Sequence, residues 1–150
     1  MFKLTKSTIN NVKFGKNVKI IDPVNLYNCV IGDNVFIGPF VEIQSNVIVG
    51  NNTRIQSHSF ICSNVKIGED CFIGHGVMFI NDKLIKKIEK NPQKFLNTKI
   101  ANKVLIGSNA SILPVKISSF ITIGAGAVVT KNLLKEGFYA GNPAKKIRKY

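Results

Sequence analysis

The chain has 150 residues, 45% of them hydrophobic, with a mean hydropathy of +0.12, enough apolar material for one continuous core and too much for a disordered chain. Its 21 basic residues outnumber 8 acidic ones to give a net charge of +13, a balance suited to an anionic partner such as a phosphorylated small molecule. With no apolar run near the ~18 residues of a membrane span, no apolar leader segment in MFKLTKSTIN and no helix-turn-helix, zinc-finger or RNP motif, the expectation is a cytoplasmic protein without membrane or nucleic-acid partners.

Residues 1–12 are polar and read as an end piece that blunts a sheet edge. From Phe14 the chain falls into blocks of six, FGKNVK and IIDPVN, then a five-residue LYNCV. Eight full blocks follow from Ile31: IGDNVF, IGPFVE, IQSNVI, VGNNTR, IQSHSF, ICSNVK, IGEDCF and IGHGVM. All eight begin with Ile or Val, five carry Gly second, and the fifth position holds only small or β-branched side chains. A period of six with two inward positions fits neither an amphipathic helix nor a hairpin sheet. It predicts a solenoid in which each block supplies one short strand and one corner, and three blocks close a triangular coil of 18 residues. Coils then stack at about 4.8 Å through parallel strand pairing, with glycines and asparagines in the tight turns.

The period breaks after Phe79. The segment NDKLIKKIEKNPQKFLNTK, residues 81–99, is predicted to be an ejected loop that walls a cleft. Within it Leu84, Ile85 and Ile88 suit one face of a short helix that ends before Pro92. Blocks resume at Ile100 with IANKVL, IGSNAS, a short ILPVK, ISSFIT and IGAGAV, and the tail after Lys131 is expected to blunt the second end. Cys29, Cys62 and Cys71 match no metal-ligand or redox spacing and are expected to be small buried side chains.

These blocks resemble the hexapeptide-repeat acyltransferases over about residues 12–147. The resemblance implies an all-β fold: a left-handed parallel β-helix with one ejected loop and a short C-terminal tail, forming a single domain over residues 1–150. It also implies acetyl-CoA as co-substrate and a homotrimer with active sites between subunits. IGAGAVVTKN followed by YAGNPAKKI is similar to the C-terminal signature of that family, where the last coil and the tail over residues 131–150 flank the CoA. On that resemblance Gly124, Ala125, Gly126, Asn142, Pro143, Ala144, Lys145, Lys146 and Arg148 are the implied CoA-binding residues. IGHGVMFINDK, with the glycine-less ILPVKI turn, resembles the branch that acetylates nucleotide-linked amino sugars. The nearest resemblance is to N-acetyltransferases of dTDP-3-amino-3,6-dideoxyhexoses, with UDP-linked 3-amino sugars as the alternative. The chain departs from many relatives after Asn81-Asp82-Lys83, where it lacks their longer insertion with Pro-Arg and a tryptophan.

The residues themselves carry a matching chemistry. His75 lies at a corner between Gly74 and Gly76, where a neutral imidazole can take a proton from an attacking amine. The flanking glycines are expected to let a ligand approach the backbone and to offer it their N–H groups. His58, 17 residues earlier and one residue short of a full coil, is expected near His75, orienting it or the substrate. Asn81 and Asp82 offer an amide and a carboxylate to sugar hydroxyls or an ammonium where the chain leaves the repeat. Lys145, Lys146, Arg148 and Lys149 form a basic cluster suited to the phosphates of coenzyme A. Two histidines are too few for the three-histidine zinc site known on this fold, so no metal is expected. The expected function is acetyl-CoA-dependent N-acetylation of a nucleotide-linked amino sugar for a surface glycan. O-acetylation of a sugar or serine hydroxyl is the alternative, and a non-catalytic anion-binding β-helix the distant one.

Overall fold

The computed structural model describes residues 8–82 and 95–149. The first and fifth positions of every hexad point inward, and from Ile31 to Val77 all of them are buried. Such a block has no second apolar face to cover, so its strand needs only two or three residues before the chain turns. The result is three parallel sheets around one core, wound as a left-handed β-helix. Sheet one runs from Ile9–Asn10 through Asn25–Tyr27, Glu42–Ile43, Phe60–Ile61, Met78–Phe79 and Ser111–Ile112 to Val128–Val129. Sheet two stacks Lys13–Phe14, Val30–Ile31, Ile48–Val49, Val65–Ile67, Thr98–Ile100 and Lys116–Ile117. Sheet three begins at Lys19–Ile20 and ends with Ile121–Ile123, Gly137–Ala140 and Lys145–Arg148. The two five-residue blocks show in the register: strands joined across them pair 17 residues apart, as Lys13 with Val30, while full coils pair 18 apart, as Val30 with Ile48.

Asparagine and glycine divide the corner work differently from the expectation. The fourth hexad position alone takes positive φ, and it holds Asn34, Phe40, Asn46, Asn52, His58, Asn64, Asp70 and Gly76 in succession. The repeated glycines sit at the second position, where φ is ordinary. They are there because the next coil lies directly above: a Cβ on Gly50 would stand 2.5 Å from the carbonyl carbon of Gly68. The asparagines add a ladder between coils, Asn17 donating to Asn34 at 3.2 Å and Asn34 to Asn52 at 3.1 Å. Asn34→Ala is therefore expected to destabilise by about 1–2 kcal/mol through left-handed backbone strain, and Asn34→Gly by clearly less. Urea midpoints of the two variants check this; equal losses would assign the cost to the ladder instead.

Both ends and the loop depart from the sequence boundaries. The coil already starts at Ile9, which pairs with Leu26, so residues 9–12 belong to the solenoid and not to an end piece. At the other end Leu133 bridges Ile117, Gly137–Ala140 continues sheet three, and Lys145–Arg148 returns antiparallel to cover its edge. Thr98 and Lys99 are strand residues paired with Val65 and Lys66, so the excursion closes by Asn97. The expected helix at Leu84, Ile85 and Ile88 lies outside the described residues.

Candidate active site

Successive coils bring five dipeptides to the corner between sheets three and one: Pro39-Phe40, Ser57-His58, His75-Gly76, Ser108-Asn109 and Ala125-Gly126. Each is tied to the coil below it, His58 N–H to Pro39 O at 3.0 Å, Gly76 N–H to Ser57 O at 2.9 Å, Asn109 N–H to His75 O at 2.8 Å and Gly126 N–H to Ser108 O at 2.8 Å. His75 thus occupies the third hexad position, and its side chain is exposed. Ser57 occupies the same position one coil below, with its Oγ 2.8 Å from His75 Nδ1. When Nδ1–H donates to that hydroxyl, the free lone pair is on Nε2. Ser57 is the site residue that sequence reading missed. Counting 18 residues back from His75, or aligning the third positions, finds it.

His58 belongs to the neighbouring column. Its ring stacks on Phe40, with centroids 4.8 Å apart and planes at 25°, and the position above it is Gly76. The coil thus brings His58 and His75 to one corner, and the hydrogen bond to His75 comes from Ser57. The glycine N–H groups are also not on offer. Gly74 N–H donates to Ile106 O at 2.8 Å and Gly76 N–H to Ser57 O at 2.9 Å, so both serve the inter-coil ladder. The His75 N–H, in contrast, donates to no acceptor among the described residues. Asn81 and Asp82 stand at the next corner, between sheets one and two, where Asn81 O accepts Leu96 N–H at 2.9 Å and closes the base of the loop. Within one protomer a face of the triangle separates them from His75.

Above His75 its own column carries only small residues, Ser108 and then Ala125, while Asn109 and Gly126 continue the neighbouring column. A Cβ on Gly126 would meet nothing within 4 Å, so the outer side of this corner is open toward the C-terminal end. The turn Gly141-Asn142-Pro143-Ala144 completes it, held by Val128 N–H to Gly141 O at 3.0 Å and Ala144 N–H to Val128 O at 2.8 Å. Gly124 packs inward, its Cβ position 3.0 Å from Ala140 Cβ. The basic cluster is partly engaged: Lys146 Nζ donates to Glu136 O, and the Arg148 guanidinium lies 5.6 Å over Phe138. Lys145 pairs with Ala140 on the edge strand and is exposed.

No group of three or more His, Cys, Asp or Glu stands ready for a metal ion among the described residues. Burial pushes the Cys29 and Cys62 thiols up to about 11 and raises Cys71 as well. All three side chains face the core.

Family models match the same repeats. Residues 28–63 fit the bacterial transferase hexapeptide of six repeats, and residues 64–78 with 98–131 fit the hexapeptide repeat of succinyl-transferase. The polySia-specific acetyltransferase NeuO is 30% identical, with a TM-score of 0.54, over 93% of this chain and 70% of that one. The chain belongs to the hexapeptide-repeat transferase family. A chloramphenicol acetyltransferase from Klebsiella aerogenes is 47% identical over 58 residues, 38% of this chain, and the match spans only 28% of that relative's length. A mutant of AntD, an N-acyltransferase from Bacillus cereus in complex with dTDP and coenzyme A, shares the fold with a TM-score of 0.72 at 22% identity, over 93% of this chain and 81% of that one.

Proposed function

We propose that the chain is an acetyl-CoA-dependent N-acetyltransferase whose acceptor is the amine of a nucleotide-linked amino sugar, a dTDP-3-amino-3,6-dideoxyhexose first of all, with UDP-linked 3-amino sugars second. The observation that carries it is the Ser57–His75 pair, set below a column of small residues, Ser108 and Ala125, at a corner that is open at Gly126. Gly124, Ala125, Gly126 and the Asn142–Ala144 turn would hold the cofactor arm, and Lys145, Lys146 and Arg148 its phosphates. Acetyl-CoA supplies the activated acyl group. Ser57 orients the imidazole through Nδ1, and Nε2 takes the proton that the amine loses as its nitrogen bonds to the acetyl carbonyl carbon. The C–S bond breaks, and the thiolate finally receives that proton. The unengaged His75 N–H is a donor for the developing oxyanion, while alignment of the two reactants contributes much of the rate.

His58, Asn81 and Asp82 are proposed acceptor contacts, the last two reaching a His75 corner across a subunit boundary in a homotrimer. The likeness to AntD supports a nucleotide-linked acceptor. A second reading is acetylation of a sugar hydroxyl, for which the Ser57-oriented base is equally suited, and the likeness to a polySia-specific acetyltransferase supports a saccharide acceptor in either case. A free-thiol assay of CoA release across dTDP- and UDP-linked amino sugars and hydroxyl-only sugars tests both readings. The chain's own thiols are protected by burial from adding to the signal. Release with amino sugars alone supports the first reading, and release with hydroxyl sugars alone replaces it with the second. No release from any acceptor defeats both.

A further inference from the structure

The outward face of sheet two changes character halfway along the solenoid. Its lowest strand presents Lys13, and the next two present Val30 and Ile48, all paired in register. The next coils present Lys66, Lys99 and Lys116, again directly in register, Lys66 opposite Lys99 and Lys99 opposite Lys116. Strand neighbours in a sheet lie about 4.8 Å apart, and like charges set opposite one another there are destabilising. Three such positions in a row keep a repulsion that a neutral side chain would remove.

The three lysines line a cavity of about 350 Å³ together with Asn64, Asn97 and Thr98. Among the described residues no carboxylate lines it. Asn64 sits at the foot of the loop, its Nδ2 donating to Phe95 O at 3.5 Å. Thr98 borders the cavity, but its side chain lies on the inward side of the sheet in register with Val65, so its hydroxyl is no part of the proposed site. Stacked ammonium groups, side-chain amides and a concave wall without acid are the chemistry of a multiply charged anion. Three lysines on successive strands match the charge of a diphosphate better than that of a single phosphate.

We propose that this cavity binds a diphosphate group. A diphosphate is the part common to a nucleotide sugar and coenzyme A, so the identity of the ligand rests on the transfer reaction proposed above, while the site itself does not. None of the ladder lysines is among the residues assigned to the cofactor, and the cavity lies at the foot of the ejected loop, away from the open His75 corner.

The test is calorimetric titration of the full chain with inorganic pyrophosphate, dTDP and CoA. Two triple variants are compared: Lys66→Gln/Lys99→Gln/Lys116→Gln, and Lys13→Gln/Lys16→Gln/Lys19→Gln, which removes the same charge from the first coil. Pyrophosphate affinity is expected to fall at least tenfold in the ladder variant and less than about twofold in the control. Loss of dTDP affinity alone then identifies the acceptor's diphosphate, and loss of CoA affinity alone the cofactor's. Equal weakening in both triples, or no saturable pyrophosphate binding to the unmodified chain, overturns the site. Binding is read without turnover, so a chain that binds pyrophosphate yet acetylates no acceptor would retain the site and lose the transferase reading.

Discussion

His75→Ala is expected to lower kcat by a factor of about 100 or more, with little change in KM for either substrate. The side chain is exposed, and its ring contributes nothing to the buried core, so the melting temperature should stay with that of the unmodified chain. His75→Gln is expected to behave like the alanine variant, because an amide N–H can donate to the Ser57 hydroxyl as Nδ1–H does, but an amide cannot take a proton at neutral pH. Ser57→Ala should cost less, roughly three- to tenfold in kcat by the usual worth of one orienting hydrogen bond. Its distinguishing sign is a change in the pH–rate profile, because the hydrogen bond at Nδ1 decides which ring nitrogen keeps its lone pair. Steady-state kinetics on all three variants provide the check. A loss smaller than tenfold for His75→Ala would remove the imidazole from the proton-transfer step and leave alignment to do the work.

Phe79→Ala should destabilise the fold by about 3–5 kcal/mol, while Phe79→Leu should cost below about 1.5 kcal/mol. Phe79 is the largest fully buried side chain among the described residues and lies on the strand Met78–Phe79, just before the chain leaves the solenoid. In a stack of coils each layer is supported only by its two neighbours, so a cavity there cannot be filled from a distant part of the core. The upper coils connect to the lower ones through that layer, with Met78–Phe79 pairing Phe60 below and Ser111–Ile112 above. Urea unfolding followed by circular dichroism measures the loss. A value under about 1 kcal/mol for Phe79→Ala would mean that the adjoining coils close over the gap.

The site was legible to the extent that it obeys the repeat. His75 stands out in the sequence because no other third position holds an imidazole and because the period stops a few residues later. The residue bonded to it was harder to see. His58 shares the corner with His75 as its spacing suggests, but it occupies a fourth position, in the neighbouring column where it stacks on Phe40, so the residue bonded to His75 is Ser57. The glycine N–H groups are taken up for a similar reason, since whether an N–H is free depends on the coils stacked on either side of it, Ile106 above Gly74 and Ser57 below Gly76.

What the sequence determined by itself is the solenoid: the hexad, its two inward positions and its two short blocks are local patterns, and each coil repeats the same local solution. The tertiary structure alone decided which side chains share a corner. A shift of a single residue between 17- and 18-residue coils changes the column a residue joins, and the sum of those shifts exists only once the coils are stacked. The same stacking set Lys66, Lys99 and Lys116 in one line across a 33-residue step that includes the loop. Lys99 and Lys116 follow the 17-residue spacing of a short coil, but no spacing rule along the chain places Lys66 beside Lys99, because the sequence between Ile80 and Asn97 has no hexad period.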